Sequence, residues 1–535
     1  MNRTRHLRIY DLHSWTGITL GLFVFVVAFS GCLALFYHEV LAWEDPAKRI
    51  ELTERSADFQ PTFSIFMDER MAEGEVEFAT VFFPTAEEPY YQVFAHVEPE
   101  DGEHKDWWIR WHPQTLEQLP SRGEGMAIWL YDFHRDLMWP AELGGRTIGR
   151  TIVGVAGVIL MLALVSGVVI HTKIREELFS LRFLRSVRLK WQDTHKVLGL
   201  WGFPFYAMIA FTGAFLGIVA ILAPIIAVLA FKGDQEALIE AVLGAPEERA
   251  GVSALMVSID EVRQLQHFDI EGGPAYALWR NYGDANASVE VFFKSDKRLA
   301  LYEPLYVDGV TGEIDSTHLE DNFTPANRTT AAMAPLHYGT FGGLWLKLLY
   351  LVLGVALAAI TAMGNMMWVE RRLHGNDGHR SEAFYRGLSR LTVGVTCGIG
   401  VASAVLLHHD KFYFGAEAAR LFWTGWTYFG VWALGIVYAF IRRDEYRATK
   451  EMIGLGGLLL VLAPLTNGIM TGDFAWKALL GASHSGTAGV DVAFLLIGSL
   501  VIAIAVMLPQ SRPEGVRKRA SPHQIEADLE TAPAE

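Results

Sequence analysis

The sequence predicts a mostly α-helical polytopic membrane protein of about eight transmembrane helices, with two small α+β modules inserted in a duplicated helical hairpin. Three observations predict it. Half of the 535 residues (51%) are hydrophobic, and several runs exceed the roughly 18 apolar residues that mark a spanning helix. The pattern Asp11-x-His13-x-x-x-Gly17 recurs as Asp193-x-His195-x-x-x-Gly199, each time at the head of an apolar run, and Ala28-Phe29-Ser30-Gly31 follows the first histidine at the offset at which Ala210-Phe211-Thr212-Gly213 follows the second. The basic clusters alternate with the runs.

The eight spans are Ser14–Tyr37, Ile148–Ile170, Val197–Leu222, Leu344–Val369, Leu391–Leu407, Leu421–Ile441, Ile453–Met470 and Val490–Met507. The first is too long for a cleaved signal peptide, and its flank Trp43-Glu44-Asp45-Pro46 is no small-residue cleavage site. Arg3, Arg5 and Arg8 precede span one, and Lys173, Arg175, Arg182, Arg185, Arg188 and Lys190 fill the connection after span two. Arg371, Arg372, Arg380, Arg386 and Arg390 follow span four, Arg442, Arg443, Arg447 and Lys450 follow span six, and Arg517, Lys518 and Arg519 follow span eight. An even span count puts every cluster on one side, and the positive-inside rule makes that side, with both termini, cytoplasmic. The net charge of −15 excludes nucleic acid as a natural partner and leaves the lipid bilayer as the main environment.

The organisation follows from the repeat. Residues 1–40 hold the first span, 41–146 an outward module, 147–231 the second and third spans with their basic loop, 232–340 a second outward module, and 341–372 the fourth span. Residues 373–510 form an additional four-helix bundle and 511–535 a polar cytoplasmic tail without a packed core. Alternating stretches predict strands at Val76–Phe83, Tyr90–His96 and Trp107–Trp111 in the first module and at Ser288–Phe293 and Ala300–Val307 in the second. Helical stretches are expected at Phe63–Gly74 and Val252–Gln266, and turns at His112-Pro113-Gln114-Thr115 and Asp308-Gly309-Val310-Thr311.

The histidines carry the chemistry. On the cytoplasmic side His13 opens span one, His171 ends span two and His195 opens span three, while on the outer side His134 precedes span two and His337 precedes span four. Haem iron takes axial nitrogens from facing helices, and ionisable groups inside a membrane lean towards function. An outer haem is expected between His134 and His337. An inner haem would use two of His13, His171 and His195, a choice the sequence leaves open. The only cysteines, Cys32 and Cys397, lie in apolar runs and no C-x-x-C-H site exists, so both haems would be b-type, held without covalent links. The bland alternative for any one histidine is an interfacial side chain. Gly17, Gly31, Gly154, Gly157, Gly167, Gly199, Gly213, Gly354 and Gly364 leave room for a flat macrocycle or simply let helices pack. His38 is a spare ligand candidate, and His408-His409-Asp410 is a polar cap or a metal site. Arg135 and Arg146 are placed to steer anionic chelates or pair with propionates. Gly454-x-Gly456-Gly457 has no strand before it and reads as helix packing, and without a dinucleotide fingerprint electrons must come from a separate donor or quinol.

His13-Ser14-Trp15-Thr16-Gly17, Phe133-His134-Arg135-Asp136-Leu137, Ser166-Gly167-Val168-Val169-Ile170-His171, Asp193-Thr194-His195-Lys196-Val197-Leu198-Gly199-Leu200 and Leu336-His337-Tyr338-Gly339-Thr340-Phe341-Gly342-Gly343 resemble the PepSY-associated transmembrane helix family, and Val307-Asp308-Gly309-Val310-Thr311-Gly312-Glu313 looks like the turn that closes a PepSY module. The resemblance covers about residues 6 to 372. It implies PepSY-like periplasmic modules and a bacterial inner-membrane protein akin to di-haem ferric-siderophore reductases, passing electrons from a cytoplasmic reductase or quinol to a ferric chelate or siderophore. No side chain then acts as nucleophile or base. The chain departs from the pattern at Tyr206, where many relatives carry histidine after the Pro-Phe pair, at His112-Pro113-Gln114-Thr115-Leu116, and in its four extra spans. Two other classes stay open: a PepSY-containing binding or regulatory protein without enzymatic activity, and a transporter.

Overall fold

The computed structural model describes residues 3–52, 56–99, 104–121, 124–171, 173–179, 187–234, 248–266, 270, 272–295, 298–315, 325–374, 380–479 and 485–510. The basic residues Arg182, Arg185, Arg517, Lys518 and Arg519, the expected tail and His484 lie outside them. The helices are α1 (Arg3–Ala34), α2 (Tyr37–Glu44), α3 (Gln60–Glu73), α4 (Met126–Asp136), α5 (Gly145–Ile170), α6 (Ile174–Glu177), α7 (Val187–Trp201), α8 (Phe203–Ala230), α9 (Ile259–Gln264), α10 (Pro325–Tyr338), α11 (Gly343–His374), α12 (Glu382–Lys411), α13 (Arg420–Arg442), α14 (Glu445–Thr471), α15 (Ala475–Leu479) and α16 (Ser485–Met507). Eight of these (α1, α5, α8, α11, α12, α13, α14 and α16) are long and apolar enough to cross a membrane, as the hydropathy pattern predicts. Span three is the exception in detail. It is two helices, α7 and α8, separated at Gly202, with Pro204 in the first turn of α8, where a missing N–H has no helical partner to lose.

The outward modules are not two separate sheets. Their strands, β1 (Glu75–Phe82), β2 (Tyr91–Glu98), β3 (Lys105–Trp111), β4 (Tyr276–Arg280), β5 (Ser288–Lys294) and β6 (Tyr302–Asp308), form one six-stranded antiparallel sheet in the order β3-β2-β1-β4-β5-β6. The first strands of the two halves pair at the centre, with Phe78 opposite Arg280, Thr80 opposite Leu278 and Phe82 opposite Tyr276. The sequence reading missed β4, and the helix expected over Val252–Gln266 is confined to the six residues of α9. One sheet face is apolar and buried, alternating in and out along β5 as a half-covered strand must. Helices α3 and α9 cover it. Phe59, Phe63, Phe66, Met67, Val81, Val93, Ile259, Val262, Trp279, Val291 and Phe293 all pack in this core.

Two helices inside the ranges read as outward modules, α4 and α10, belong with the bundle instead. Helix α4 packs on α1 and α5, and α10 on α8. The four extra helices join the first hairpin through a shared core that includes Phe25, Trp43, Trp129, Phe133, Ile399, Tyr428 and Ala463.

Both modules close with the same device. In the second, Asp308 Oδ1 accepts from the amides of Val310 (3.0 Å) and Thr311 (2.6 Å) and from Thr311 Oγ1 (3.0 Å). In the first, His112 Nδ1 accepts from the amides of Gln114 (3.3 Å) and Thr115 (3.2 Å), so His112 is a turn residue. The Thr311 amide, above all, holds the Asp308 carboxyl below its ordinary range.

Two predictions follow from these contacts. Trp279 is fully buried at the sheet centre, and Trp279→Ala should cost about 3–5 kcal/mol, seen in the full-length protein as faster amide exchange across β1 and β4. A carboxyl whose folded pKa is depressed contributes stability above its unfolded value of about 4 and loses it as pH falls. The melting-temperature gap between the natural protein and Asp308→Asn should therefore be open near neutral pH and close as pH falls below about 4. A gap that is flat with pH would refute that assignment.

Candidate functional site

The structure gathers four of the five predicted histidines into two pairs. His13 of α1 faces His195 of α7 with ring centroids 6.3 Å apart. His134 of α4 faces His337 of α10 with centroids 6.2 Å apart. His171 ends α5 and lines the same cavity as His13 and His195 without joining their pair.

Each paired ring is anchored through Nδ1 to a neighbouring helix. His13 Nδ1 lies 3.0 Å from the Ala163 carbonyl and 3.2 Å from Ser166 Oγ. His195 Nδ1 lies 2.9 Å from the Ile360 carbonyl. His134 Nδ1 lies 3.1 Å from the Val27 carbonyl and 3.2 Å from Ser30 Oγ. His337 Nδ1 lies 2.9 Å from Thr212 Oγ1, whose own proton goes to the Met208 carbonyl at 2.8 Å. A carbonyl only accepts, and the Thr212 hydroxyl has already donated, so Nδ1 carries the proton in all four rings. No hydrogen bond to Nε2 of these four rings is seen among the described residues, so Nε2 is the atom that could hold a metal. Donation of the other ring nitrogen to a carbonyl or hydroxyl is the arrangement that orients a metal-binding imidazole and raises its basicity.

The partners obey the repeat. Ser30 and Thr212 occupy equivalent places in the two halves, as do Ala163 and Ile360. Glycines seat the rings. A Cβ added at Gly31 would lie 2.8 Å from His134 Cε1 and one at Gly213 2.9 Å from His337 Cε1; at Gly167 and Gly364 the approaches to His13 and His195 are 3.2 and 3.4 Å. The remaining glycines of the sequence reading divide cleanly. Gly17 and Gly199 line the cavity beside His13 and His195, and a Cβ there would meet nothing within 4 Å. Gly154 and Gly157 press on the α8 backbone, and Gly354 on Cys32, as helix packing requires.

Do these residues suit a haem? Two trans imidazoles on one iron, each bonded at about 2 Å, place their ring centroids roughly 6.3 Å apart. Both pairs have that spacing. The His13–His195 pair borders a cavity of about 820 Å³, within the range of roughly 300–1,000 Å³ used for cofactors. Lys173, Arg371 and Arg372 border the same cavity. So does Trp368, whose buried indole N–H has no acceptor among the described residues. The ligands and surroundings fit a flat, anionic macrocycle.

Other candidates are spoken for. Arg135 pairs with Asp132 (2.7 Å) and Asp136 (2.9 Å), and Arg146 reaches Asp132 at 3.5 Å. Arg135 braces the end of α4, whereas Arg146 stays exposed beside it. His38 lies 3.7 Å from Glu88. His408 uses both ring nitrogens, on Thr466 Oγ1 (2.9 Å) and the Leu459 carbonyl (3.0 Å), and Asp410 pairs with Arg420, so His408-His409-Asp410 is a helix-joining polar cap. Gly457 abuts the Gly498 carbonyl across α14 and α16.

The sequence reading overlooked the clasp that sets α4, and with it His134. Glu44 is buried. Its Oε2 accepts the Ala127 amide at 2.7 Å, near the N-terminus of α4, and its Oε1 lies 2.9 Å from Arg420 Nη2. Lys411 Nζ donates to the carbonyls of Trp43 (2.7 Å) and Glu44 (3.0 Å), and Trp43 Nε1 donates to Asp491 at 2.7 Å. Glu44 thus satisfies an orphan helix amide and sits at the positive end of the α4 dipole. The only sequence signal was the charged Trp43-Glu44-Asp45 flank beside an apolar run.

A helical bundle with two histidine pairs at either end of a duplicated four-span core, capped by one α+β sheet, defines a class of polytopic membrane protein. A family profile described as the PepSY-associated TM region matches residues 10–371, and the chain belongs to that family. It is also similar to the uncharacterized protein PA4219 of Pseudomonas aeruginosa, 27% identical over 375 residues, which are 67% of this chain and 90% of that protein.

At Gly125 an added Cβ would come 1.8 Å from Glu44 Oε1 and 2.7 Å from Arg420 Cζ. Gly125→Ala should therefore displace Glu44 and tilt α4. The expected result is faster amide exchange along α4 with exchange around His13 and His195 unchanged, read by hydrogen exchange on the full-length protein.

Proposed function

We propose that this chain is an inner-membrane electron-transfer protein that holds two b-type haems and reduces ferric chelates, in the manner of a ferric-siderophore reductase. The observation that carries the reading is the two imidazole pairs, each ring anchored through Nδ1 and the ring centroids 6.3 and 6.2 Å apart. When bound, haem supplies the one-electron iron couple. His134 and His337 would hold one group and His13 and His195 the other.

The chain's own residues do the rest. The Ala163, Ile360 and Val27 carbonyls and the Thr212 hydroxyl fix the ring tautomers, and would raise the basicity of the rings towards a bound haem iron. Along α1, the 17 residues from His13 to Ser30, which touches His134, rise about 25 Å, close to the roughly 30 Å of a hydrocarbon core. The two sites therefore sit near opposite faces of the bilayer, and Val24, Leu160, Leu164, Tyr206 and Leu357 form an apolar cluster in the helices of that core, all but Tyr206 also lining the cavity beside His13 and His195. The proposed orientation places the basic connections and termini in the cytoplasm, where a reductase or quinol is the donor, and the sheet in the periplasm, where the ferric chelate or siderophore accepts the electron. Fe(II) binds hard oxygen donors less tightly than Fe(III), so one-electron reduction loosens the chelate.

The test is a pyridine hemochrome assay and reduced-minus-oxidised spectrum of detergent-purified protein. Two haems per chain are expected. His134→Ala and His337→Ala should each remove one signal, His13→Ala and His195→Ala the other, and His171→Ala neither. A colourless natural protein, or spectra unchanged by all four pair substitutions, would sink the reading in favour of a binding or regulatory role.

A further inference from the structure

We infer that the sheet carries a surface site for a divalent first-row transition-metal ion, built from His96, Glu98 and His104. One ligand atom from each of these three residues lies within 4.8 Å of the other two. The two imidazole rings stack with centroids 5.1 Å apart, and His104 Nδ1 is 3.3 Å from Glu98 Oε1. Two imidazoles and one carboxylate on one side of a point form a donor set that suits iron, zinc, nickel or copper and leaves positions open to water or another ligand.

The surroundings support a cation. His96 Nδ1 is 2.6 Å from Asp106 Oδ1, a carboxylate–imidazole contact of the kind that orients a ligating ring and raises its basicity. Glu77 Oε2 lies 3.5 Å from His96 Nε2 and adds a second negative charge. Local structure holds the set together. His96 and Asp106 are register partners across β2 and β3, as are Ala79 and Ala95 one step along on β1 and β2, so the strand ladder fixes both carboxylate and ring. His104 directly precedes β3 and folds back over His96. In the apolar-alternating pattern of β2, His96 faces away from the sheet core, between buried Ala95 and Val97. Nothing in that core requires an imidazole there.

This site is remote from the histidine pairs. The β1–β2 turn carries Glu88, which reaches His38 of the bundle. From Tyr91 at that end, β2 runs seven residues to Glu98, about 23 Å. The cluster therefore opens on the distal rim of the sheet, and its existence does not depend on haem in the bundle.

The experiment uses the full-length protein in detergent. Zn²⁺, which has no redox chemistry, is titrated by equilibrium dialysis with elemental analysis. His96→Ala, His104→Ala and Glu98→Gln are compared with the natural chain and with His38→Ala as a surface control. The expected result is one equivalent of Zn²⁺ fewer, or an affinity at least tenfold weaker, in both histidine variants. Glu98→Gln should weaken binding less, and His38→Ala should leave it unchanged. The Soret spectrum, where present, should not move in any of them, which separates failure here from failure of the haem reading. Natural stoichiometry and affinity in either histidine variant would overturn the three-ligand site.

Discussion

The arrangement rests on one constraint: a ring nitrogen buried among apolar helices must find its hydrogen-bond partner within the protein. Each of the four paired histidines meets it with Nδ1, and each partner belongs to a different helix from its ring. The bond from His13 to Ala163 ties α1 to α5, and that from His195 to Ile360 ties α7 to α11. The bond from His134 to Val27 ties α4 to α1, and that from His337 to Thr212 ties α10 to α8. Satisfying the ring through Nδ1 thus cross-links the bundle. The same requirement explains the glycines beneath the rings. An imidazole can come close enough to reach its partner on the neighbouring helix where that helix lacks a side chain, at Gly31, Gly167, Gly213 and Gly364.

Duplication turns this local rule into an architecture. Two copies of one hairpin bring equivalent partners to equivalent depths, and the outward segments meet as β1 against β4. Joining them has a physical advantage. A three-stranded sheet would expose the inner edges of both β1 and β4, whereas the joined sheet leaves only β3 and β6 as edges. It also places Trp279 and Val81 in a shared core that neither half fills alone.

Much of this was legible in the sequence, and the omissions have causes. The spans were plain because lipid demands long apolar runs, and α1, α5 and α11–α14 differ from their sequence bounds mainly by polar ends that hydropathy ignores. The histidines stood out because the repeat places His13 with His195 and His134 with His337. The outer pair was expected from the repeat; the inner pair needed tertiary structure, since His171 has the same sequence depth as His13 and lines the same cavity, while it is His13 whose ring faces His195. Strand β4, Tyr276-Ala277-Leu278-Trp279-Arg280, is short and follows Gly272-Gly273-Pro274, a breaker run that reads as loop. Helices α4 and α10 were absorbed into the modules because both are too short and polar to count as spans, although they carry two of the four paired histidines. Arg135 looked like an open cation because its partners Asp132 and Asp136 lie on its own helix, where a sequence shows charge but not pairing.

The four extra helices raise the last question, why a core complete in its own histidines should be bonded to a second bundle through buried charge. Burying Glu44, Asp410, Lys411 and Arg420 costs desolvation that their mutual attraction does little more than offset, and such groups add little net stability over an apolar core of the same shape. What the charges add is direction. Removing one partner strands the others, at a cost of about 3–5 kcal/mol, so only one seating of α12 and α13 on the first hairpin is tolerated. That seating delivers Glu44 to the Ala127 amide at the start of α4, seven residues from His134 near the other end of the same helix. Trp129 and Phe133, on α4 between those points, pack on Tyr428 of α13 with centroids 4.4 and 5.3 Å away. The extra bundle therefore acts on the His134–His337 pair by fixing the pitch and rotation of one short helix. The second half has α10 at the corresponding place, resting on α8. The duplicated core is symmetric in its histidine pairs but asymmetric in what holds them.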